Sequence, residues 1–418
     1  MQRRNEPLRE SVVTEQLVGG GRLCVVPRPS RRCHAVLNIG FGALHEAGVG
    51  GGEPPGIAHF LEHRLFEKDH GDISERFTDI GADVDAQTGF TTTSFSVTAG
   101  VEVFPQAMEL LLELVGTSHF PQDSVTRERT IVGHEIQLYE DSVEWVSFQT
   151  LLAALYPDQR IAIDIAGTPE SLLAIDAPML ELCHRRRYRA DAMHLSACGP
   201  IDAGDLVGIC DRALGDWPED QLRRKEPGRS RAQPASLQAP MPLSRPRHTL
   251  AFPDEQPRHG LDLMRQELAL EMTLDILFGP RSEFFSRHYE SGLLDGETFG
   301  GEVHLDESYG FCLLGGDTDD PEGLQSAVLD ELTEAPGSDW LETDFERARR
   351  RVFGDMICRW EDVESTVGFL ESASLRGCHP FDATGLYSGE QAVNSEDIRR
   401  CLEQCLRPDR VAAATLAG

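Results

Sequence analysis

The sequence predicts an α+β protein made of two homologous domains, each an antiparallel sheet flanked by helices, joined by a linker. Three observations lead there. The chain has 418 residues, too many for one ordinary core and suited to two domains of about 200 residues each. Strand-like pairs and helix-like pairs run in similar order through both halves, as a duplication at fold level would leave them. Between the halves, residues 218–247 carry Pro227, Pro234, Pro240, Pro242 and Pro246 among Arg, Lys, Ser and Gln without apolar periodicity, the composition of a linker. The expected division is 1–217, linker 218–247 and 248–418.

Along the chain, residues 12–16 and 22–26 read as strands around Gly19-Gly20-Gly21, a hairpin signal, and 35–41 as a third. A glycine-rich loop over 48–53 ends at Pro54 and Pro55, which open a helix over about 56–66. Its apolar members Ile57, Ala58, Phe60, Leu61 and Leu65 wrap most of its circumference, so it is expected to be well buried. Asp72, with Glu75 three residues on, has the pattern of a capping box for a second helix that Gly81 ends. Residues 84–85 and 91–98 read as strands; in the latter Thr91, Thr93, Phe95 and Val97 alternate with Thr92, Ser94, Ser96 and Thr98. Helices follow over 104–115, 121–140 and 144–156, and Thr168-Pro169-Glu170 starts another with a cap and a proline in its first turn. A strand at 194–198 and a helix at 203–214 complete the half. In the second half, a strand at 249–252 precedes helices 261–278 and 282–290, strands 297–304 and 310–314, helices 321–334, 340–358, 367–375 and 395–406, and a last strand at 410–415.

The net charge of −31 argues against nucleic acid and anionic membrane as partners and fits an acidic, soluble surface. No run of about 18 apolar residues reads as a membrane span, and Met1-Gln2-Arg3-Arg4-Asn5-Glu6 leads into polar sequence rather than a secretory signal. Ten cysteines are scattered without a CxxC pair, several inside apolar stretches such as 195–198. They read as reduced thiols of a cytoplasmic protein. Cys401 and Cys405 are helix-spaced but have no further ligand nearby.

The chemistry concentrates in His59-Phe60-Leu61-Glu62-His63. Positions i and i+4 share one helix face, so two neutral imidazoles there can bind one metal ion from the same side. Glu62 is the neighbour that can reach water at that ion, and the order is the inverse of the HExxH zinc signature. Zinc bound for hydrolysis wants three protein ligands and an open position. The third must come from another segment, and Glu128, Glu135 and Glu140 on the 121–140 helix are candidates. Glu135 is favoured because it lies mid-helix between Val132 and Ile136, where a carboxylate is costly to bury. From spacing alone, an ordinary solvated helix face accounts for these glutamates equally well. His134 adjoins Glu135 but points about 100° away, and reads as a surface residue.

The run Gly56-Ile57-Ala58-His59-Phe60-Leu61-Glu62-His63, followed by Leu65-Phe66, resembles the inverted-zinc-motif metallopeptidases of the pitrilysin, insulin-degrading enzyme and mitochondrial processing peptidase family. Glu135 stands 72 residues beyond His63 (135 − 63), in the place of the family's glutamate ligand, and Glu128 matches a second family glutamate seven residues earlier. Gly81-Ala82 leading into Thr91-Thr92, Ala166-Gly167-Thr168-Pro169-Glu170 and Gly199-Pro200-Ile201-Asp202 fall in family order, so the resemblance covers nearly the whole chain and is closest to short bacterial members. It implies a zinc metalloendopeptidase with one Zn2+ per chain held by His59, His63 and Glu135, Glu62 as general base and Glu128 orienting a histidine. It also implies that peptide substrate lies as an added strand along a sheet edge near 87–93, with Gln87, Thr88, Gly89, Phe90 and Thr91 as binding residues.

The chain departs from the family in its second half. Self-sufficient members carry an arginine and a tyrosine that hold substrate near zinc. Here, in the matching stretch 284–296, Gly292-Leu293 align, but Asp295 stands where the tyrosine belongs and His288 or Tyr289 where the arginine belongs. Arg287 and Tyr289 are a substitute pair, or an ordinary helix surface. The resemblance therefore implies the zinc-bearing subunit of a heterodimer whose homologous partner carries the arginine–tyrosine pair. It would act on small peptides or on leader segments of peptide precursors. A homodimer is the competing arrangement, and a non-catalytic scaffold or peptide-binding subunit the competing function.

Overall fold

In a computed structural model of the chain, the structure describes residues 1–5, 8–46, 53–215, 217, 227–337 and 341–418. Elements follow from local pattern. Over 93–100, alternation buries Thr93, Phe95, Val97 and Ala99 and turns Ser94, Ser96 and Thr98 to the other face, the period-two signature of a strand. In chain order the elements are β1 (Gln2–Asn5), β2 (Glu10–Gln16), β3 (Arg22–Pro27), β4 (Arg32–Ile39), α1 (Ile57–Leu65), β5 (Glu67–Lys68), β6 (Gly71–Asp72), α2 (Ile73–Asp79), β7 (Asp83–Thr88), β8 (Thr93–Gly100), α3 (Phe104–Gly116), α4 (Gln122–Glu140), α5 (Val143–Leu155), α6 (Pro169–Leu172), α7 (Ala177–Arg187), β9 (Met193–Gly199) and α8 (Ala203–Leu214). They continue as β10 (Ser236–Pro240), β11 (Arg247–Pro253), α9 (Gly260–Phe278), α10 (Glu283–Glu290), β12 (Gly300–Leu305), β13 (Gly310–Asp317), α11 (Pro321–Glu334), α12 (Leu341–Glu361), α13 (Val363–Leu375), α14 (Pro380–Thr384), α15 (Ser395–Gln404) and β14 (Ala412–Ala417).

The predicted α+β class and the duplication are both present. One sheet has the order β1-β2-β3-β9-β4-β8-β7 and the other β10-β14-β11-β13-β12. Taking β3, β4, β7, β8 and β9 as a first set and β10 to β14 as a second, each sheet runs first-fifth-second-fourth-third. In each, the first and fifth strands pair in parallel and the other neighbours antiparallel. The third strand of each set, β7 or β12, lies at the edge of its sheet.

The contacts group the chain differently from the contiguous division 1–217, 218–247 and 248–418. One compact unit is 1–138, 163–227 and 357–381; the other is 139–162, 228–356 and 382–418. Within the first unit α13 packs on β9 and β4, and within the second α5 packs on β14, β10 and β11. The two docking contacts repeat one device. Arg32, opening β4, donates to Glu364 in the first turn of α13 at 2.7 Å, and Arg247, opening β11, donates to Glu144 in the first turn of α5 at 2.8 Å. An amphipathic helix shows that it packs on a sheet, not on which one, so this exchange is invisible in periodicity.

Other expectations change in detail. The Pro-rich segment contains β10, a largely exposed strand held by parallel pairing to β14; residues 218–226 of the linker and most of the expected 48–53 loop lie outside the described residues. At α2, Asp72 accepts from the Ser74 amide at 2.8 Å, a simple cap without the return bond expected from Glu75. No helix among the described residues is long and apolar enough to cross a membrane. None of the ten cysteines forms a disulfide, and eight of them are buried.

Helix α1 is buried nearly all round: Ile57, Ala58, His59, Phe60, Leu61, Glu62, Arg64 and Leu65 are all buried. Each large apolar side chain there contributes about 1.5–3 kcal/mol, which supports the cost of the polar ones. Its start is over-determined. Gly56 has φ +89°, and a Cβ there would overlap the Ala166 carbonyl. The buried Glu46 carboxylate accepts from the Gly56 and Ala58 amides at 3.1 and 3.0 Å, placing negative charge on the positive end of the helix. Ser171, reciprocally capped with Thr168, donates to the Pro55 carbonyl at 2.7 Å. Gly56→Ala forces a left-handed residue against that carbonyl, and we expect it to cost about 2 kcal/mol or more, read as a lowered midpoint in urea or thermal unfolding.

Candidate metal centre

His59 and His63 sit one turn apart on α1, with ring centroids 4.6 Å apart at 61°. Across from them runs α4, whose buried stripe includes Ser124, Val125, Glu128, Val132 and Ile136. Glu135 approaches both rings: His59 Nε2 lies 3.6 Å from one carboxylate oxygen and His63 Nε2 3.5 Å from the other. These separations are too long for good hydrogen bonds. They are close to the edge of a ligand tetrahedron, about 3.4 Å for bonds of about 2.1 Å. His59, His63 and Glu135 form a group whose ligand atoms all lie within 4.8 Å of one another among the described residues.

The protonation states fit a metal. Burial, then the neighbouring His63, pushes the His59 imidazole down to about 4, so it is neutral at pH 7, the form that ligates. Its Nδ1 is buried without a hydrogen-bond partner among the described residues. For His63 burial acts downward, but the hydrogen bond to Glu128 and the surrounding Glu62, Glu135 and Glu128 charges raise it. A dication at the centre would replace that proton. Glu128 divides its carboxylate between His63 Nδ1 at 3.2 Å and Arg64 Nη1 at 2.9 Å. Burial alone would raise Glu128, but these two hydrogen bonds hold it below the usual range. A carboxylate on Nδ1 selects the tautomer that leaves Nε2 free to ligate.

Glu62 is buried beside the histidines, and Thr88 at the end of β7 donates to it at 2.5 Å. Burial raises its carboxyl despite that hydrogen bond and the His63 charge. The chain thus brings together His59, Glu62, His63, Glu128 and Glu135. Glu140 is exposed at the end of α4 and lies outside the cluster, and His134 is exposed as expected.

The segment expected to receive substrate divides in two. Gly89 and Phe90 already give their carbonyls to the amides of Ala43 and Leu44, at 3.0 and 2.8 Å. Thr88 is buried against Glu62, while Gln87 is exposed and Thr91 half-buried. The edge of the sheet is therefore β7, 83–88, rather than the turn after it. Arg287 and Tyr289 lie on α10 in the second unit, both exposed, with Tyr289 stacked on Phe285 at 6.0 Å. Asp295 accepts from the Glu297 and Thr298 amides, both at 3.0 Å, so it shapes a turn.

Two polar residues of this site escaped the sequence reading. Glu46 caps α1 from ten residues before Gly56, too far for a local capping signal. Arg64 is only 4% exposed and lies three and four residues after Leu61 and Phe60. A charge on an apolar face of that kind marks a buried partner.

Comparison with known proteins bears on the same residues. Residues 25–169 match the family described as Insulinase (Peptidase family M16), and residues 174–352 match the Peptidase M16 inactive domain. Among curated proteins, an uncharacterized zinc protease of Bacillus subtilis (strain 168), YmfH, is 28% identical over 420 residues, covering 97% of this chain and 96% of that protein. Among solved structures, an M16-like peptidase from Alicyclobacillus acidocaldarius aligns with TM-score 0.87 and 26% identity, covering 98% of this chain and 99% of that one. A protease from Helicobacter pylori has the same fold, with TM-score 0.83 at 16% identity over 97% of this chain and 99% of that one. The metal-free chain should take up one zinc ion per chain. Glu135→Gln, which replaces a charged ligand with a neutral amide, should weaken uptake at least about 10-fold in competition with a chromophoric chelator.

Proposed function

Because this chain belongs to the insulinase peptidase family M16, we propose that it is a zinc-dependent endopeptidase hydrolysing small peptides or leader segments of peptide precursors, and that it serves as the zinc-bearing subunit of a two-chain enzyme. The observation that carries the reading is the His59–His63–Glu135 triangle with a buried carboxylate, Glu62, beside it.

Zinc, when bound, supplies Lewis-acid activation of a water molecule and of the scissile carbonyl. The chain's own groups do the rest. Glu62 uses the carboxylate oxygen not held by Thr88 to accept a proton from the attacking water, and delivers it to the leaving amine as the C–N bond breaks. The raised affinity of Glu62 for protons suits the second half of that exchange. Glu128 keeps His63 oriented throughout. The β7 edge offers backbone groups to an extended peptide, which gives affinity with little side-chain choice.

The two-chain reading is supported by Asp295, committed to a turn where self-sufficient relatives of this plan would have a substrate-holding tyrosine. Exposed Arg287 and Tyr289 favour the second reading, a chain complete in itself or as a homodimer. A non-catalytic role has less support, because the metal triangle and Glu62 are all retained. A cytoplasmic location rests on the ten cysteines, none of which forms a disulfide.

The test is cleavage of a mixed peptide library by the purified chain with zinc, beside a chelator control. Chelator-sensitive cutting supports the peptidase and removes the need for a partner. Silence of the chain alone, with activity restored by a homologous chain bearing the arginine and tyrosine, supports the two-subunit form; silence in both settings contradicts the peptidase reading. Glu62→Gln should retain zinc and lose hydrolysis. Glu62 must be ionised to take the proton, so kcat/KM should fall as pH drops far enough to protonate it. Thr88→Val removes a hydrogen bond that favours the ionised form, and should move that acid limb to higher pH by about one unit.

A further inference from the structure

We propose that Arg64 is a positioning residue that locks α1 and α4 in the register the metal site needs, by gripping two carboxylates at once. The inference rests on the metal reading of His59, His63 and Glu135. Arg64 directly follows His63, and its side chain is almost wholly enclosed, 4% exposed. One arm, Nη1, donates to Glu128 on α4 at 2.9 Å; the other, Nη2, donates to Glu67 at 2.6 Å. The second oxygen of Glu67 accepts from Ser124 of α4 at 2.5 Å, and Arg127 donates to the same hydroxyl at 2.5 Å. One arginine on α1 therefore reaches α4 at two points, Glu128 directly and Ser124 through Glu67.

Ser124 and Glu128 are four residues apart, about 6 Å along the axis. Two such anchors prevent α4 from both sliding and rotating against α1. Glu135, seven residues beyond Glu128 and on the same face, is thereby held where its carboxylate meets both imidazoles. The arm on Glu128 has a second effect: with one oxygen fixed by Arg64, the other is aimed at His63 Nδ1. A planar guanidinium can hold two carboxylates in fixed directions, whereas an ammonium acts as a point charge.

The sign of the effect separates this role from plain electrostatics. Removing a positive charge beside a dication site should tighten zinc if Arg64 acts only through its charge. It should loosen zinc if Arg64 acts by positioning. The experiment compares the full-length, metal-free chain with Arg64→Met, Arg64→Lys and Ser124→Ala, reading zinc affinity by chelator competition and fold by circular dichroism and thermal unfolding. We expect Arg64→Met to keep the fold and weaken zinc about 10- to 100-fold, and Arg64→Lys to recover part of the loss. Zinc affinity in a folded Arg64→Met equal to or tighter than wild type overturns the proposal, whatever the change in melting temperature. If Arg64→Met does not fold, Ser124→Ala decides, because it removes the Glu67 anchor on α4 without changing any charge and leaves the Glu128 contact in place: a several-fold loss of zinc affinity supports the clamp, and unchanged affinity overturns it. A folded wild-type chain that binds no zinc defeats the metal reading itself, a result distinct from any difference among the variants.

Discussion

Everything distinctive about this chain depends on keeping charged and ionisable side chains together in the seam between α1 and α4. His59, Glu62, Arg64 and Glu128 are each buried, and His63 and Glu135 are only partly open to solvent. Such groups are tolerated away from water only when each finds a partner. Here the partners form a chain from Thr88 to Glu62, and from His63 through Glu128 to Arg64, Glu67 and Ser124. The surrounding apolar residues of α1 and the Glu46 cap supply the stability that lets this polar seam persist.

The second unit shows what the fold does without that seam. Its sheet repeats the strand order of the first, and α9 occupies the place of α1 between the second and third strands of its set. But α9 buries Leu263, Met264, Leu268, Leu270, Met272, Leu274, Ile276 and Leu277, with Gln266 bonded to Cys405 Sγ at 3.1 Å. An apolar helix performs the structural task. The candidate metal site therefore sits on a scaffold whose stability comes from sheet and helix packing, and α9 lies within residues 174–352, which match the domain described as inactive.

Much of this was legible in the sequence. The helix pair at His59 and His63 follows from spacing; for Glu135 spacing fits an ordinary helix face equally well, and the resemblance selects it from three candidates. The strand order could be anticipated only as a duplication, because alternation marks strands without saying which are neighbours. The exchange of α5 and α13 was not legible, since their apolar faces fit either sheet. Nor was β10: Ser236 to Pro240 has little strand propensity and is ordered by its partner, β14. The edge strand β7, 83–88, takes in only Gln87 and Thr88 of the expected segment, because the Gly89 and Phe90 carbonyls are engaged by a loop remote in sequence. Glu46 was missed because a single charge gives no period to read, whereas Arg64 stood on an apolar helix face, where a charge signals a buried partner.

The most direct test of the central claim is X-ray absorption spectroscopy of the zinc-loaded chain. A His59–His63–Glu135 site predicts a shell of nitrogen and oxygen ligands only, at about 2.0–2.2 Å, with imidazole scattering from two rings. A sulfur shell at about 2.3 Å would place the metal on the chain's cysteines instead, and would contradict the account.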